Sequence, residues 1–364
     1  KRARIIRLKT DLTTEIVNVD LDAVLSGDLN ADIQLSREDI LTVYSILDFR
    51  EEYKVTIDGE IKNPGEYEYF ENSLSKAFGR AALLFNSGYH MNIGILPALA
   101  DSKTIILADK LVHASMIDGI RLSTAQYVRY RHNDLRHLEQ LLQKYYQDEQ
   151  IERVIVVTES IFSMDGDETD LAALAQLKQR FAKTMLYVDE AHAIGVRGEQ
   201  GLGCAEQYGV LDQIDFLVGT FGKAIASVGG YIICDSIIRD YLINKMRPLI
   251  FSTALPPISM AWSDFIFNKV LNMQQQRHHL AEISQYLQQT VITKGFSSPS
   301  SSHIIPIIVG ESQAAIEKAR YVQQQGFYAM PVRPPTVPQN SSRLRISLTS
   351  MVQKAELEKL VECL

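Results

Sequence analysis

The sequence predicts an α/β protein with a mostly parallel central sheet, a smaller α+β domain at the carboxyl end and a small β-rich module at the amino end. Three observations support this fold class. The chain has 364 residues, 46% hydrophobic and 22% charged, which is enough to bury more than one core. From about Leu74 onward, short apolar runs alternate with helical patterns. Before that residue, short β-type runs are separated by turn signals.

Residues 1–72 are predicted to form the β-rich module. Runs such as "ARIIRL" and "TEIVNVDL" have the composition of strands. The tripeptide Asn63-Pro64-Gly65 predicts a turn between two further alternating strands.

Residues 73–257 are predicted to form the large domain. The runs "TIILAD", "RVIVVTES", "TMLYVDEAH" and "DFLVGTFGK" are short and mostly apolar, and segments with helical periodicity separate them. Alternation of this kind is typical of a parallel sheet covered by helices on both faces. Residues 258–364 begin with a long helical stretch and continue with a strand, a helix and a second strand, "SRLRISL". This order predicts the smaller α+β domain.

Charge and composition exclude several classes of function. The formal net charge of -7 provides no basic surplus for a nucleic-acid backbone. The apolar runs are far shorter than the roughly 20 residues that span a bilayer, so no membrane span is expected. Three cysteines are too few for a disulfide framework or a zinc site, which fits a reducing compartment. Because the chain starts at Lys1, we interpret it as a fragment or a processed form.

Polar residues follow the predicted parallel strands, where ligands collect in open α/β sheets. Ser87, Gly88 and Tyr89 are expected to open a helix whose free N–H groups can hold a phosphate, although an ordinary helix start fits equally well. Asp189 and His192 follow a buried strand. They would form an incomplete metal pair, and Asp189 alone could be a helix cap.

Two other polar segments have competing interpretations. Asp165 and Asp167 suggest a metal, but no third ligand has suitable spacing, so no metal is predicted. Lys223 follows the strand "DFLVG" but lacks the glycine spacing of a phosphate-binding loop and the Ser or Thr after the lysine. A solvated surface lysine is the usual alternative, and the small and apolar neighbours of Lys223 disfavour it.

Together these residues predict a site for pyridoxal 5′-phosphate. This cofactor requires a lysine for its aldehyde, a carboxylate for its pyridine nitrogen and a helix start for its phosphate. Lys223, Asp189 and the Gly88 turn provide these groups. His113 has the chain position to cover the other face of the ring, although it could also be a buried structural histidine.

From about Leu74 to the end, the chain resembles the α-oxoamine synthases, pyridoxal-phosphate enzymes that condense an amino acid with an acyl-CoA and release carbon dioxide. The resemblance is carried, in the family's order, by "LLFNSGYHMNIG", "DKLVHAS", "RHNDLRHLE", "VVTESIFSMDGD", "VDEAHAIGVRGEQGLG", "TFGKA", "FSTALPP", "MPVRPPTVP" and "SRLRISLT". It implies the type I fold of pyridoxal-phosphate transferases, related to aminotransferases of class I and II, and a homodimer.

The resemblance also implies roles for individual residues. Lys223 would bind the cofactor covalently and Asp189 would pair with the ring nitrogen, while His113 would stack on the ring. The remaining cofactor contacts would be His192 and Ser163 at the phenolic oxygen, Gly88, Tyr89 and Thr220 at the phosphate, and Thr253 at the phosphate of a neighbouring subunit. Arg345 would receive the substrate carboxylate through two hydrogen bonds, whereas Arg343 is expected to be a surface arginine of the same strand.

The motifs "FSMDGD", "RHND" and "RPPTVP" favour the members that join L-alanine to a pimeloyl thioester, carried by CoA or a carrier protein, in biotin biosynthesis. Members that use glycine or serine remain an alternative. The resemblance places this part of the chain in the cytoplasm.

The residues before Leu74 depart from the family. The family carries there a segment like "SNDYLGL" and a glycine-rich "GSGGSRL" stretch, which help close the site, and this chain has neither. Instead, "YKVTIDGEIKNPGEYEYFENS" resembles the SLBB domain of polysaccharide-export proteins, which lie outside the cytoplasm. We therefore expect a joined or chimeric chain that binds the cofactor, fails to close productively over an acyl-CoA and has weak or absent condensation activity. A non-catalytic chain with an envelope-type binding module is the competing hypothesis.

Overall fold

The computed structural model describes residues 2–8, 14–28, 30–36, 39–43, 54–57, 65–68 and 70–364. The chain divides into two compact units, Lys1–Glu68 and Tyr69–Leu364. The division precedes the predicted boundary at residue 72, because a helix over Phe70–Phe78 buries Phe70 and Leu74 in the core of the second unit. The domain bounds 1–72, 73–257 and 258–364 otherwise stay a prediction.

The first unit contains a three-stranded antiparallel sheet of order β2-β1-β3. Its strands are β1 (Arg2–Leu8), β2 (Thr14–Asp20) and β3 (Ile40–Val43), and a short helix, α1 (Leu21–Leu25), follows β2. Ala3, Ile5 and Val19 form its small core. The strands β4 (Lys54–Ile57) and β5 (Gly65–Glu68) pair as an antiparallel hairpin. Residues 63 and 64 of the predicted turn lie outside the described residues.

The second unit is built on a seven-stranded sheet of order β6-β12-β11-β10-β9-β7-β8. Its strands are β6 (Ala81–Phe85), β7 (Thr104–Asp109), β8 (Gln126–Tyr130), β9 (Arg153–Glu159), β10 (Thr184–Asp189), β11 (Phe216–Thr220) and β12 (Gly230–Cys234). Strand β12 runs antiparallel to its neighbours, while the pairs formed by β7 to β11 are parallel. The predicted mostly parallel sheet is confirmed.

Helices connect and cover these strands. They are α2 (Phe70–Phe78), α3 (Gly88–Leu99), α4 (Ala114–Leu122), α5 (Leu135–Tyr146), α6 (Leu171–Gln179), α7 (Cys204–Gln207), α8 (Ser236–Lys245) and α9 (Arg247–Ile250), with a 3-10 turn over Leu211–Gln213. Alternate residues of β9 enter two different cores: Val154 and Val156 enter one, and Ile155 and Val157 enter the other. The continuous apolar runs of the central strands follow from this two-sided burial.

The carboxyl-terminal part is smaller. The helical stretch after Pro257 is two helices, α10 (Pro257–Leu271) and α11 (Gln274–Thr293), and is followed by β13 (Ile304–Gly310), α12 (Ser312–Gln324), β14 (Met330–Val332), β15 (Ser342–Ser347) and α13 (Lys354–Glu362). The strands form an antiparallel sheet of order β13-β15-β14. Within the described part of the chain, no helix combines the length and the apolar character that a membrane crossing requires.

Candidate active site

Lys223 lies in a tight loop that follows β11. The loop is held by hydrogen bonds from the N–H of Ala226 to the carbonyl of Lys223 (2.9 Å) and from the N–H of Ser227 to the carbonyl of Phe221 (2.9 Å). The side chain of Lys223 is exposed to a pocket at the carboxyl ends of the strands. The loop therefore presents the amine to the pocket at a fixed point of the sheet edge.

The surroundings of Lys223 lower the pKa of its amine. Burial by the protein around it lowers the pKa of Lys223, and Arg345 lowers it further, while the carboxyl groups of Asp189 and Glu159 act in the opposite direction. A lysine with a lowered pKa holds a larger fraction of nucleophilic amine near neutral pH, and such an amine can attack an aldehyde.

Asp189 is the last residue of β10 and is only 6% exposed. Its Oδ1 accepts a hydrogen bond from the N–H of Ala191 (2.8 Å), and its Oδ2 accepts one from Nδ2 of Asn92 (3.3 Å). The carboxylate lines the same pocket as Lys223. It is thus a buried, oriented acceptor that can pair with a protonated ring nitrogen.

His192 lies one turn beyond Asp189 and also lines the pocket. Burial, together with the nearby cations Lys223 and Arg345, lowers the pKa of His192 to about 2. The imidazole is consequently neutral near neutral pH, with one nitrogen that donates and one that accepts a hydrogen bond.

The amino end of α3 forms another side of the pocket. Ser87 caps this helix, because its hydroxyl accepts the N–H of His90 (3.1 Å). Gly88 lies against Thr220, since a Cβ at Gly88 would be 3.4 Å from Cβ of Thr220. The first-turn N–H groups of the helix have no carbonyl partner within the helix, so they can hold an anion such as a phosphate.

His113 and Glu159 line the pocket on another side. His113 caps α4, and its backbone N–H donates to Oε1 of Glu159 (2.6 Å). Burial, and then the proximity of Asp189, raises the pKa of Glu159 well above its usual value. His113 is itself exposed to the pocket, so its imidazole is accessible to a bound ring.

The structure brings most of the predicted site residues together. The pocket is lined by Gly88, Tyr89, His113, Asp189, His192, Thr220 and Lys223. The hydroxyl of Thr220 donates to the carbonyl of Gly229 (2.8 Å) and accepts the N–H of Gly222 (3.2 Å). The individual cofactor contacts stay predictions.

Three predicted residues are not among those that line the pocket. Ser163 lies in the turn after β9, where its carbonyl accepts a hydrogen bond from Nε of Arg345 (2.6 Å), and its contact with the ring stays a prediction. Arg345 is nevertheless close enough to His192 to lower its pKa. Thr253 is exposed, and its carbonyl accepts Nδ2 of Asn86 (2.6 Å).

The prediction that Arg343 is a surface residue is wrong. Arg343 is 3% exposed, and its guanidinium is paired with the carboxylate of Asp165. Residues of β15 alternate between two faces, and Arg343 and Arg345 share the face that packs on the Ser163–Asp167 turn. Both arginines therefore tie the carboxyl-terminal sheet to the large domain.

Sequence reasoning missed three pocket residues with polar side chains: Asn92, Ser115 and Glu159. Glu159 ends a predicted strand, so its position at the sheet edge was a usable signal. Asn92 and Ser115 lie inside helices, where a polar residue has no distinct pattern. Asp165 and Asp167 bind Arg343 and His132, and the described residues contain no group of three or more His, Cys, Asp and Glu that could hold a metal.

The pocket residues fit pyridoxal 5′-phosphate by their chemistry. They provide an amine of lowered pKa, a buried carboxylate, a helix amino end beside a hydroxyl, and an exposed imidazole. These are the groups required by the aldehyde, the ring nitrogen, the phosphate and the ring face.

Comparison with known proteins agrees with this fit. The family described as aminotransferase class I and II matches residues 52–364. A protein of Pasteurella multocida, provisionally named 8-amino-7-oxononanoate synthase, is 60% identical over 300 residues, 82% of this chain and 77% of its own length. The match to the family begins before the hairpin β4–β5, and the SLBB-like character of residues 1–72 stays a prediction.

Solved structures are similar as well. A serine palmitoyltransferase variant from S. paucimobilis with a bound PLP–myriocin adduct has a TM-score of 0.76 and 28% identity, covering 81% of this chain and 74% of that chain. The 8-amino-7-oxononanoate synthase of Francisella tularensis has a TM-score of 0.71 and 29% identity, covering 81% of this chain and 84% of that chain.

The fold and the site define a pyridoxal-phosphate enzyme of fold type I, and the chain belongs to the aminotransferase class I and II family. Its cofactor is pyridoxal 5′-phosphate. It is an acyltransferase similar to 8-amino-7-oxononanoate synthase.

Proposed function

We propose that this chain condenses L-alanine with a pimeloyl thioester, carried by CoA or a carrier protein, and releases carbon dioxide to give 8-amino-7-oxononanoate, a step of biotin biosynthesis. The observation that carries the proposal is the convergence of Lys223, Asp189, His192 and the Gly88 helix start on one pocket. The 60% identity to a relative provisionally named for this activity supports the choice of substrates.

When bound, pyridoxal 5′-phosphate supplies the electron sink for a carbanion at the substrate Cα. The residues of this chain then have distinct tasks. Lys223 would hold the cofactor covalently until the amino acid displaces it, and its freed Nζ would then accept and return the proton of the substrate Cα, which its lowered pKa favours. Asp189 would keep the ring nitrogen protonated, and the neutral imidazole of His192 could donate a hydrogen bond at the ring edge.

The guanidinium of Arg345 provides a positive charge for substrate anions beside the pocket. Arg345 donates from Nε to the carbonyl of Ser163, which leaves the terminal nitrogens of its guanidinium to bind a carboxylate. Burial lowers the pKa of Arg345, yet a guanidinium remains charged at any working pH. We therefore assign Arg345 to the carboxylate of the amino acid.

We further propose that the chain is a homodimer. Ile258, Trp262 and Phe265 lie at positions i, i+4 and i+7 of α10, which share one helix face, and they are 69%, 47% and 53% exposed. Single soluble chains rarely leave such an apolar face uncovered. Nε1 of Trp262 donates to the carbonyl of Ala226 (3.0 Å), so this surface adjoins the Lys223 loop. A second copy would cover it and bring Thr253 close to a site. Sedimentation at micromolar concentration should give twice the chain mass, and a monomer would contradict the proposal.

The function is tested in two stages. The holoenzyme is reduced with borohydride and digested, and the cofactor label should be found on the Lys223 peptide. Exchange of the alanine Cα proton in D2O, and then release of carbon dioxide with pimeloyl-CoA, are measured with glycine and serine as competing substrates. Alanine should exchange fastest. A preference for glycine or serine would assign the chain to the other branch of acyltransferases, and a label on another lysine would overturn the site.

A further inference from the structure

A buried hydrogen-bond network connects two sides of the pocket. Tyr187 on β10 donates its hydroxyl to Oδ1 of Asn92 (2.6 Å), and Nδ2 of Asn92 donates to Oδ2 of Asp189 (3.3 Å) and to Oγ of Ser115 (3.0 Å). Tyr187, Asn92 and Ser115 are 0%, 2% and 1% exposed. Hydrogen bonds in such a dry environment hold their partners firmly, and each lost bond leaves a buried polar group unpaired.

The partners fix the orientation of the Asn92 amide. An ionised Asp189 only accepts hydrogen bonds, so the NH2 group of Asn92 must face it. The Asn92 oxygen then faces Tyr187, whose hydroxyl can donate. The two hydrogens of Nδ2 are used by Asp189 and Ser115, and the amide has no freedom to turn over.

The hydrogen bonds of Ser115 also determine which ring nitrogen of His113 carries the proton. Ser115 Oγ accepts from Asn92, so its own hydrogen is available for Nδ1 of His113 at 2.8 Å. The backbone N–H of Ser115 points to the same nitrogen at 3.2 Å. Because both groups donate, Nδ1 of His113 accepts, and the ring carries its proton on Nε2.

The backbone around Asn92 is packed to allow these contacts. Helices α3 and α4 approach closely at Gly119, where a Cβ would lie 2.3 Å from the carbonyl oxygen of Asn92. Glycine at this position lets Ser115 on α4 reach Asn92 on α3.

We propose that Asn92 is a positioning residue for both sides of the cofactor ring: it orients the carboxylate of Asp189 directly, and through Ser115 it selects the Nε2–H form of His113. The inference rests on the proposed roles of Asp189 and His113. Tyr187 lies outside the pocket lining, and its hydroxyl donates its hydrogen bond to Asn92.

The chain offers a matched pair of variants. Tyr187→Phe removes the hydroxyl that holds Asn92. Tyr231→Phe removes the hydroxyl of another fully buried tyrosine of the same sheet, on β12, and that hydroxyl has no hydrogen-bond partner among the described residues. Both changes delete one oxygen atom in the core, but only Tyr187→Phe leaves a buried polar atom, Oδ1 of Asn92, unpaired. The free energy of unfolding is therefore measured for both variants, because a purely structural effect of Tyr187→Phe would appear there without a shift of the cofactor titration.

The primary measurement is the pH titration of the visible absorbance of the bound cofactor, together with kcat and KM for alanine. Tyr187→Phe should move the midpoint of this absorbance titration to higher pH by about half a unit to one unit. The reason is that a pyridine nitrogen that is less firmly protonated lets the Lys223 nitrogen, which is conjugated with the ring, hold its own proton more strongly. It should lower kcat about tenfold, with KM nearly unchanged. Tyr231→Phe should titrate like the parent.

A second measurement covers the case in which Tyr187→Phe does not fold. Ser115→Ala leaves only the longer hydrogen bond from the backbone N–H to Nδ1 of His113 (3.2 Å). The 15N resonances of the His113 ring should therefore change from the Nε2–H pattern toward a mixture of tautomers, with the signals assigned by their loss in His113→Asn. Equal titrations of Tyr187→Phe and Tyr231→Phe, or an unchanged tautomer in Ser115→Ala, would overturn the inference. If the borohydride label is still on Lys223, only the inference has failed; if the label is elsewhere, the proposed function has failed.

Discussion

At the scale of single residues, Asp189 is the group on which turnover should depend most. Asp189→Asn introduces an amide that cannot keep a pyridine nitrogen protonated, and one orientation of that amide would place its NH2 group against the NH2 group of Asn92, 3.3 Å away. We expect kcat to fall about 100-fold or more while the cofactor stays bound. Cofactor content and steady-state kinetics check this outcome, and equal turnover in variant and parent would remove Asp189 from the mechanism.

Arg345→Lys should raise KM for the amino acid about tenfold, because an ammonium cannot grip a carboxylate at two points. Cofactor affinity should be almost unchanged. Kinetics with alanine and titration with pyridoxal 5′-phosphate separate the two effects.

Arg343→Lys is the matched change on the same strand. Since Arg343 is buried and paired with Asp165, this variant should lower the free energy of unfolding by up to about 3 kcal/mol and leave KM nearly as in the parent. If Arg343→Lys raises KM more than Arg345→Lys does, the assignment of the substrate arginine is wrong.

The sequence was informative about residues that directly follow strands. Lys223, Asp189 and His192 could be placed at one sheet edge because each follows an apolar run closely. The partners of these residues could not be predicted in the same way. Asn92 contacts Asp189 only in the packed tertiary structure, because the two residues lie far apart in the sequence. In the sequence, a single amide inside a helix resembles any other polar residue. Arg343 is buried because it packs on the turn that contains Asp165, which is far away in the sequence.

At the scale of elements, His132 joins the ends of three neighbouring segments of the large sheet. Its Nδ1 contacts Asp109 at the end of β7 (2.9 Å), and its Nε2 contacts Asp167 beyond β9 (2.8 Å), while His132 itself follows β8. Burial alone would lower the pKa of His132, but the two carboxylates outweigh burial and raise the pKa to about 10.

This contact predicts a pH dependence of stability. The pKa of His132 is raised in the folded state, so its contribution is fully present below about pH 6.5, the ordinary value in the unfolded chain, and is lost as the pH rises through about 10. His132→Gln should therefore be less stable than the parent at pH 6 by about 3 kcal/mol, and the difference should shrink toward pH 10. Urea unfolding at pH 6, 8 and 10 measures it. A difference independent of pH would mean that His132 acts by packing alone.

The elements themselves were largely predictable. Strands β7, β9, β10 and β11 were evident as apolar runs because both faces of each strand are buried. Strand β12 was not predicted to be antiparallel, since an antiparallel strand buried on both faces has the same composition as a parallel one. The break between α10 and α11 was missed because neither Pro nor Gly marks it.

At the scale of the whole molecule, the two compact units should unfold separately. The described core of Lys1–Glu68 consists of Ala3, Ile5 and Val19 with a few partly buried neighbours, and none of these residues belongs to the cores of Tyr69–Leu364. Calorimetry should give two transitions. Pyridoxal 5′-phosphate should raise the midpoint temperature of only one transition, that of the larger unit, since a ligand stabilises the unit that binds it. A single transition that shifts as a whole with cofactor would show that the units unfold together.

Acyl transfer should depend on the residues before the second unit more than amino-acid activation does. The pocket residues Gly88, His113, Asp189 and Lys223 all lie within Tyr69–Leu364, so we expect exchange of the alanine Cα proton to require that unit alone. Condensation also requires a long acyl thioester to be held in register and water to be excluded. The segments like "SNDYLGL" and "GSGGSRL" that the family places before the position of Leu74 do not occur in this chain. Replacing residues 1–68 by the corresponding segment of a relative should therefore raise carbon dioxide release with pimeloyl-CoA about tenfold or more and leave the exchange rate within about twofold.

The matched control is the chain with residues 1–68 deleted, which should exchange normally and condense no faster than the parent. Equal condensation rates in the parent and the replaced chain would show that the family's amino-terminal segment is dispensable here.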